Sequence, residues 1–395
     1  MMKKRNAALI VVLSIILSAI VTFTFSNVVQ IKMDDKVVLT KDDYNYLISL
    51  KNRYSKIEKL KAYIDKNYYI PVDDSVFQDA MIKGMFSSLN DPYSVYFDKK
   101  AFKDFNEQTS GKYAGIGIIV SINDDGLIEI ISPIEDTPGE KAGLLPGDKI
   151  IKVNGVVVGK DNYAKAIDIM KGEPNTDVTI TVSREGQDPF DLVITREIIT
   201  VKAVKSKVLD NDIGYIRITS FDTSSHDEFK DHLKELTDKN IKGLIIDLRN
   251  NPGGSLYSVD KIADMLLGEQ VIVYTEDRAG KKEYYRSDPR KVNVPIAVLV
   301  NKGSASASEI LTGAIKDSGS GTIIGTQTYG KGVVQTVNPL DDETGFKLTT
   351  SQYFTPNGNN INKIGITPDI IIEKTDKGDN QLDKALEVIK NKMIK

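Results

Sequence analysis

Two stretches of this chain, "KGLIIDLRNN" from Lys242 and "PIAVLV" from Pro295, constrain its fold more than any other feature. Each carries a run of apolar residues without the polar alternation of a strand that shows one face to water. Such strands are buried on both faces. Each is followed by a helix pattern, over 255–267 and 306–317. "DIGYIRITSF" precedes them, with a helix "SSHDEFKDHLKEL" after it, and "GTIIGTQTYGKGVVQTV" follows as a further strand region. Strands and helices in alternation predict an α/β core whose sheet is largely covered. With 395 residues there is room for two or three domains.

The remaining segments divide by texture. Residues 1–31 form a basic tip and an apolar stretch: after Lys3, Lys4 and Arg5 no charge appears before Lys32. That length can span a hydrocarbon core of ~30 Å as one helix. The basic flank places its start in the cytoplasm and the rest outside. A cleaved signal peptide is the competing reading, although no A-x-A-like site is visible. Residues 32–99 are helical in pattern, with Thr40 as an N-cap and Leu47, Leu50, Tyr54 and Ile57 at helical spacing. A second helix pattern ends near Asn90, and "DPYSVYF" reads as a turn. Residues 100–197 are a compact β-rich module, with a hairpin signal at Asp124-Asp125-Gly126 and another hairpin over "DVTITVSREG" and "FDLVITREIIT". The α/β core covers 198–375 and a closing helix 376–395.

Composition removes several chemistries. The net charge of −3 carries no basic surplus for nucleic acid. With no cysteine there are no disulfides, thiol nucleophiles or thiolate metal sites. The two histidines, His226 and His232, lie six apart on one helix, which is not a same-face metal spacing. They read as exposed polar positions. No metal and no cofactor is expected, and a histidine-based serine triad is poorly supplied.

Three features remain that can carry chemistry. "NKGSASASEI" (301–310) joins a buried strand to a helix, where free N–H groups and the helix dipole favour developing negative charge. Ser304, Ser306 and Ser308 are all candidates, and Ser306 with Glu309 also makes the S-x-x-E pattern of a capping box. A serine without histidine needs another base, a carboxylate or a lysine. Lys331 sits between two glycines in "TYGKGVVQT", within a stretch otherwise read as strand. Desolvation lowers a lysine pKa from its ordinary ~10.4 far enough for it to act as a base. Gln335, four residues on, would share its strand face and orient the amine. The plain reading is a surface lysine in a turn. "GTQTYGKG" nearly matches a phosphate loop, but Gly332 stands where the Mg²⁺-binding hydroxyl belongs. "NNPGG" (250–254) opens a helix with exposed backbone N–H groups, suited to an oxyanion, or is simply a glycine-rich connection. "YAGIGI" (113–118) could bind a carboxylate beside a strand edge.

In series these motifs resemble the C-terminal processing peptidases, PDZ-containing serine proteases with a Ser-Lys catalytic pair. "MIKGMFSSLNDPYSVYF", "GKYAGIGI", "EKAGLLPGDKIIKVNG", "LIIDLRNNPGG", "NKGSASASEI", "GTQTYGKGVVQT", "TPNGNNI" and "GITPDI" occur in the family's order. The resemblance implies that the β-rich module is an inserted PDZ domain and that the core is a crotonase-like or Clp-protease-like protease domain. It implies Ser306 as nucleophile, Lys331 as general base and Gln335 as its orienting partner. The oxyanion would meet the backbone N–H groups of Ala307 and of Gly253 or Gly254. Gly115, Ile116, Gly117 and Ile118 would hold the substrate's terminal carboxylate. Many members carry Arg-Gly after the PDZ helix, where this chain has Lys171-Gly172.

The implied activity is endopeptidase cleavage of extracytoplasmic proteins near their C-terminus, by a single-pass cell-membrane enzyme, secreted if the anchor is cleaved. Its partners would be proteins or peptides with accessible C-terminal tails, the membrane, and by family analogy a second copy of the chain. A non-catalytic tail-binding adaptor is the alternative class.

Overall fold

The computed structural model describes residues 4–27, 32–33, 36–37, 39–123, 126–375 and 377–394. Asp124 and Asp125 of the expected hairpin lie outside these residues. The chain forms two compact units, Met1–Met81 and Ile82–Lys395.

In the first unit, helix α1 (Lys4–Asn27) is followed by a two-stranded antiparallel ribbon, β1 (Lys32–Met33) and β2 (Lys36–Val37), and by helix α2 (Lys41–Asn67). Thr40 caps α2 by accepting the Asp43 N–H at 3.1 Å, and Asp42 and Asp43 complement the dipole of its first turn. No residue of α2 is buried. Among the described residues no helix is long and apolar enough to cross a membrane, so the expected transmembrane anchor finds no support in the structure.

The second unit begins within α3 (Asp74–Ser87) and continues through β3 (Val95–Phe97), α4 (Lys99–Ser110) and β4 (Lys112–Gly115). Asp98 caps α4, and Gly111, with φ +67°, ends it. The β-rich module follows: β5 (Ile118–Ile122), β6 (Ile128–Pro133), the short α5 (Pro138–Lys141), β7 (Lys149–Val153), β8 (Val156–Val157), α6 (Tyr163–Met170), β9 (Asp177–Ser183), β10 (Phe190–Thr195) and β11 (Glu197–Thr200). Its sheet runs β10-β9-β7-β6-β5 with β8 beside β7, so β5 is an edge. Inward residues alternate along β9, and Ile128, Ile150, Ile180 and Val182 form the centre of a separate core. Strand β11 pairs with β4, returning the chain to where it entered the module.

The core contains β12 (Val204–Leu209), β13 (Ile213–Ile218), α7 (Ser225–Asp238), β14 (Gly243–Asp247), α8 (Leu256–Leu266), β15 (Gln270–Asp277), β16 (Lys282–Ser287), β17 (Ile296–Val300), α9 (Ala307–Asp317), β18 (Gly321–Gly325), β19 (Val333–Pro339), β20 (Gly345–Phe354), β21 (Ile370–Ile371) and α10 (Asn380–Met393). One sheet has the order β12-β13-β14-β17-β18-β21, parallel from β13 onward. Strands β14 and β17 are buried at every position, as their unbroken apolar runs require. One face packs Phe229 of α7, Ile262 of α8 and Leu311 of α9; the other packs Ala385 and Ile389 of α10 against Ile245, Ala297 and Leu299. A second, antiparallel sheet runs β16-β15-β20-β19, with β3 added to β20.

Two expectations are corrected. The stretch from Gly321 is not one strand: residues 326–332 are a loop that leaves the parallel sheet at Gly325 (φ +131°) and reaches β19 in the other sheet. The histidines are half-buried rather than exposed. His232 Nδ1 lies 2.8 Å from Ser206 Oγ, and the His226 ring stands edge-on to Tyr257.

A buried ion pair fixes the end of β14. Asp247 is fully buried; Arg249 Nη2 donates to it at 2.6 Å and Tyr215 Oη at 2.7 Å. The same guanidinium reaches Asp379 before α10 at 2.7 and 2.8 Å. Arg249→Met is expected to cost about 3–5 kcal/mol, because it leaves the buried Asp247 carboxylate with only the Tyr215 hydroxyl and the more distant Arg217, at 3.5 Å. A shift under ~1 kcal/mol in denaturant-unfolding stability would show that the pair does not hold this corner.

Candidate active site

Three loops leave the C-terminal ends of the adjacent strands β14, β17 and β18, the end of a parallel sheet where ligands generally bind. The loop after β17 carries the three serines, and burial separates them. Ser304 is fully buried; its Oγ donates to the Leu248 carbonyl at 2.8 Å and accepts the Asn301 N–H at 3.0 Å. Ser308 is also fully buried and donates to the Asn251 carbonyl at 2.9 Å. Both hydroxyls pin this loop to the one after β14. Ser306 alone is partly exposed. Its φ of +55° and ψ of −115° place it at a strained strand-to-helix turn, the kind of turn that projects a serine hydroxyl.

The expected capping box of Ser306 and Glu309 is present. The Glu309 carboxylate accepts the Ser306 N–H at 2.9 Å, and the Glu309 N–H also donates to the Ser306 carbonyl at 2.8 Å. Glu309 does more than cap. It is fully buried, and its two oxygens also accept the N–H groups of Gly330 (2.7 Å) and Lys331 (2.9 Å) and the Thr328 hydroxyl (2.6 Å). One carboxylate thus fixes the main chain of Ser306 and of Lys331 together. The buried Tyr353 hydroxyl adds a second tie, lying 2.6 Å from the Lys331 carbonyl and 3.1 Å from that of Ser306.

Lys331 is half-buried, and its ammonium lies 4.8 Å from the centre of the Tyr93 ring. Burial lowers its pKa below the ordinary lysine value, and the charge of Lys347 lowers it further; Asp91 and Glu309 act against this. Asp91 and Tyr93 belong to the "DPYS" turn. Burial tends to raise the Asp91 carboxyl, but hydrogen bonds from Ser94, Thr349 and the Tyr93 N–H outweigh it and hold it below the usual carboxylate range. Gln335 lies on β19, past a register shift between Val334 and Gln335, and its amide donates to Thr349 Oγ1 at 3.2 Å. Because Lys331 precedes the strand, the shared-face argument does not apply to the pair.

The loop after β14 faces the entry to α9. Gly253 has φ +97°, and a Cβ there would sit 2.8 Å from Ala307 N and 2.8 Å from Ser306 Cβ. The missing side chain therefore leaves open the space in front of the first N–H of α9, beside Ser306. The Gly253 N–H is already donated to Asn251 Oδ1 at 2.8 Å. Those of Ala307 and Gly254 have no partner among the described residues.

Far along the chain, Gly115, Ile116 and Gly117 are buried where β4 gives way to β5. The Ile116 carbonyl accepts the Gly139 N–H at 2.7 Å, and the Gly117 carbonyl accepts the Ile134 N–H and Thr137 hydroxyl at 2.9 Å each. Ile118 opens the edge strand. Lys171 pairs with Glu107 of α4 at 3.1 Å, and its carbonyl accepts Arg196 Nε at 2.8 Å.

The "DPYS" turn, Tyr353 and the reach of Glu309 were not readable as parts of a site. "DPYS" signals a turn but not its destination, and Glu309 signals a cap but not its second pair of bonds.

Comparison with known proteins adds to this geometry. Residues 212–372 match peptidase family S41, residues 129–184 a PDZ domain, and residues 15–101 the N-terminal domain of the activating protease CtpB. The carboxy-terminal-processing protease of Bartonella bacilliformis is 43% identical over 315 residues, covering 77% of this chain and 71% of that protein. The carboxy-terminal processing protease CtpB of Bacillus subtilis is 39% identical over 345 residues, 85% of this chain and 72% of that one. A solved structure described as an S41 protease from Bacteroides fragilis matches 84% of this chain and 96% of its own at a TM-score of 0.54 and 15% identity, a likeness of fold. Fold and matches together define a serine peptidase, an S41 protease fold carrying a PDZ domain. The chain belongs to the carboxy-terminal processing proteases. As a serine peptidase it is an enzyme, which sets aside the adaptor reading.

Proposed function

We propose that this chain cleaves extracytoplasmic proteins near their C-terminus with Ser306 as nucleophile and Lys331 as general base. The observation that carries the reading is the shared hold of Glu309 on both residues, with the space left by Gly253 in front of the Ala307 N–H. Neutral Lys331 takes the Ser306 proton as Oγ attacks the scissile carbonyl. The oxyanion is met by the N–H groups of Ala307 and Gly254. Lys331 returns its proton to the leaving amine, and water then releases the acyl group by the same steps. Gln335 is the orienting partner in this scheme, acting from its place beside Thr349. The substrate tail would add to the free edge of β5, its carboxylate held by the segment Gly115–Ile118. Mass spectrometry of a model protein with an apolar tail, incubated with the parent and with Ser306→Ala, tests this reading. Trimming by the parent alone is expected; equal trimming by both would sink it.

The pH dependence follows from the lowered pKa of Lys331. The base works when neutral, so kcat/KM should rise with pH through a midpoint below the ordinary lysine value of ~10.4 and then level off. A profile flat from pH 6 to 10 would exclude Lys331 as the base.

The uncharged stretch between Arg5 and Lys32 supports a single-pass membrane anchor with the protease outside the cytoplasm. Retention of the full chain in membranes after alkaline carbonate extraction is expected; release into the supernatant would refute it. The exposed α2 supports self-association, which sedimentation of the protein lacking residues 1–31 would measure.

A further inference from the structure

The hydrogen bonds that place Lys331 all fall on its main chain. Glu309 accepts its N–H at 2.9 Å, and Tyr353 donates to its carbonyl at 2.6 Å. Among the described residues no hydrogen bond or ion pair reaches the half-buried amine itself. Gln335, its expected partner, donates to Thr349 Oγ1 at 3.2 Å instead. The contact the amine does make is with a ring. Nζ lies 4.8 Å from the centre of Tyr93, inside the range of about 6 Å over which an aromatic face attracts a cation.

The turn that carries the ring is tied down on both sides. One Asp91 oxygen accepts the Tyr93 N–H at 3.0 Å, and the other accepts the Ser94 hydroxyl at 2.5 Å. Ser94 Oγ accepts the Thr349 N–H of β20 at 3.0 Å, and β3 then pairs with β20 from Val95 onward. Strand β20 also supplies Tyr353, whose hydroxyl meets the carbonyls of both Ser306 and Lys331. Ring, base and nucleophile are therefore held on one frame.

A lysine base is neutral before reaction and cationic during it. As Ser306 Oγ bonds to the scissile carbonyl carbon, its proton passes to Nζ and the carbonyl π pair moves onto the oxygen. When the C–N bond breaks, that proton goes to the leaving nitrogen. Between these events the site holds a half-buried ammonium. In a triad a carboxylate meets the charge that appears on the base. Here Asp91 is taken up by its own turn and Glu309 by four hydrogen bonds. An aromatic face attracts a cation through its quadrupole, an attraction that a neutral amine does not share. Its stabilisation falls on the charged state, and such differential binding lowers a barrier. Resting on the reading of Lys331 as the base, we propose that Tyr93 is a further catalytic residue, whose ring face holds Nζ and stabilises the positive charge that Nζ acquires from Ser306. The other titratable groups around the pair are Asp91 of the same turn, Glu309 of α9, Tyr329 of the loop before β19, and Lys347 and Tyr353 of β20. All of them stay in place in the variants that test the ring.

The test is the pH profile of kcat/KM on a model tail, measured with the full chain. Tyr93→Phe keeps the ring and should stay within about threefold of the parent at every pH. Phenylalanine analogues with increasing ring fluorination at the same position weaken the face stepwise at nearly constant shape. Added fluorine should lower the alkaline plateau and move the midpoint acidward together, by about tenfold and about one pH unit for the trifluoro ring. The profiles should coincide on the acid side, where Lys331 is an ammonium in the resting enzyme as well as in the transition state. A plateau indifferent to fluorine content, or profiles lowered by one factor at every pH, overturns the proposal. So does a Tyr93→Phe variant as slow as Tyr93→Leu, since the hydroxyl would then carry the effect. Lys331→Ala separates the two readings. If it is as active as the parent, the Ser306–Lys331 reading fails, whereas an inactive Lys331→Ala beside a fluorine-independent plateau rejects only the role of Tyr93.

Discussion

Replacing Lys331 with alanine is expected to lower kcat for tail cleavage by roughly 10⁴- to 10⁶-fold, the scale seen when one member of a nucleophile–base unit is removed. Such a loss would follow from the proposed pairing, because the neighbouring Glu309 carboxylate is already spent on four hydrogen bonds. The fold should survive. Lys331 makes no ion pair among the described residues, and its pKa is lowered by burial, so below its unfolded pKa the unfolded chain binds the proton more readily than the folded one. Stability contributed by this group therefore rises with pH between the folded and unfolded pKa values. Alanine removes the penalty on the acid side, so Tm at neutral pH should be equal to or above that of the parent, less the small packing loss over Tyr93. An inactive variant that is also strongly unfolded would mean that Lys331 is structural.

Gly253→Ala is expected to abolish measurable cleavage, a drop of about 10³-fold or more, with only a modest loss of stability. The new methyl would lie 2.6 Å from the Ala305 carbonyl and 2.8 Å from both Ala307 N and Ser306 Cβ, and φ +97° is unfavourable for any residue with a Cβ. Backbone must shift, and the backbone that shifts is the turn holding Ser306. The methyl also fills the space where the oxyanion would meet the Ala307 N–H, and losing one such donor costs about 10²–10³ in kcat. Burst titration with a serine-directed acylating reagent separates the causes. A variant acylated at the parental rate would show the hole to lie elsewhere.

Much of the fold was legible because the signals are local. "LIID" and "PIAVLV" lack polar alternation, and they are the central strands β14 and β17. Alternation along "DVTITVS" marks β9 of the separate module. Thr40 reads as a cap and is one. Legibility ended where a residue's role depends on what arrives from elsewhere. Lys331 was read in a strand with Gln335 on its face, but the chain leaves one sheet at Gly325 and enters the other only at Val333, so the period-two argument had no strand to act on. "DPYS" was only a turn until β3 paired with β20 and carried Asp91 and Tyr93 to the amine.

By itself, the sequence determined which chemistry was available. Without cysteine, and with two histidines on one helix, a serine nucleophile is left with a carboxylate or a lysine as its candidate base. What it left open, the tertiary structure decided. Three hydroxyls in "SASASE" are equivalent as residue types, but Ser304 and Ser308 are consumed by the carbonyls of Leu248 and Asn251, and only Ser306 is turned outward. A glycine N–H is equally a donor at 253 or 254, but Asn251 takes the first. The reason is the same in each case. Residue type fixes what a group can donate or accept, whereas burial and the partner across the fold determine whether that capacity remains free for a substrate.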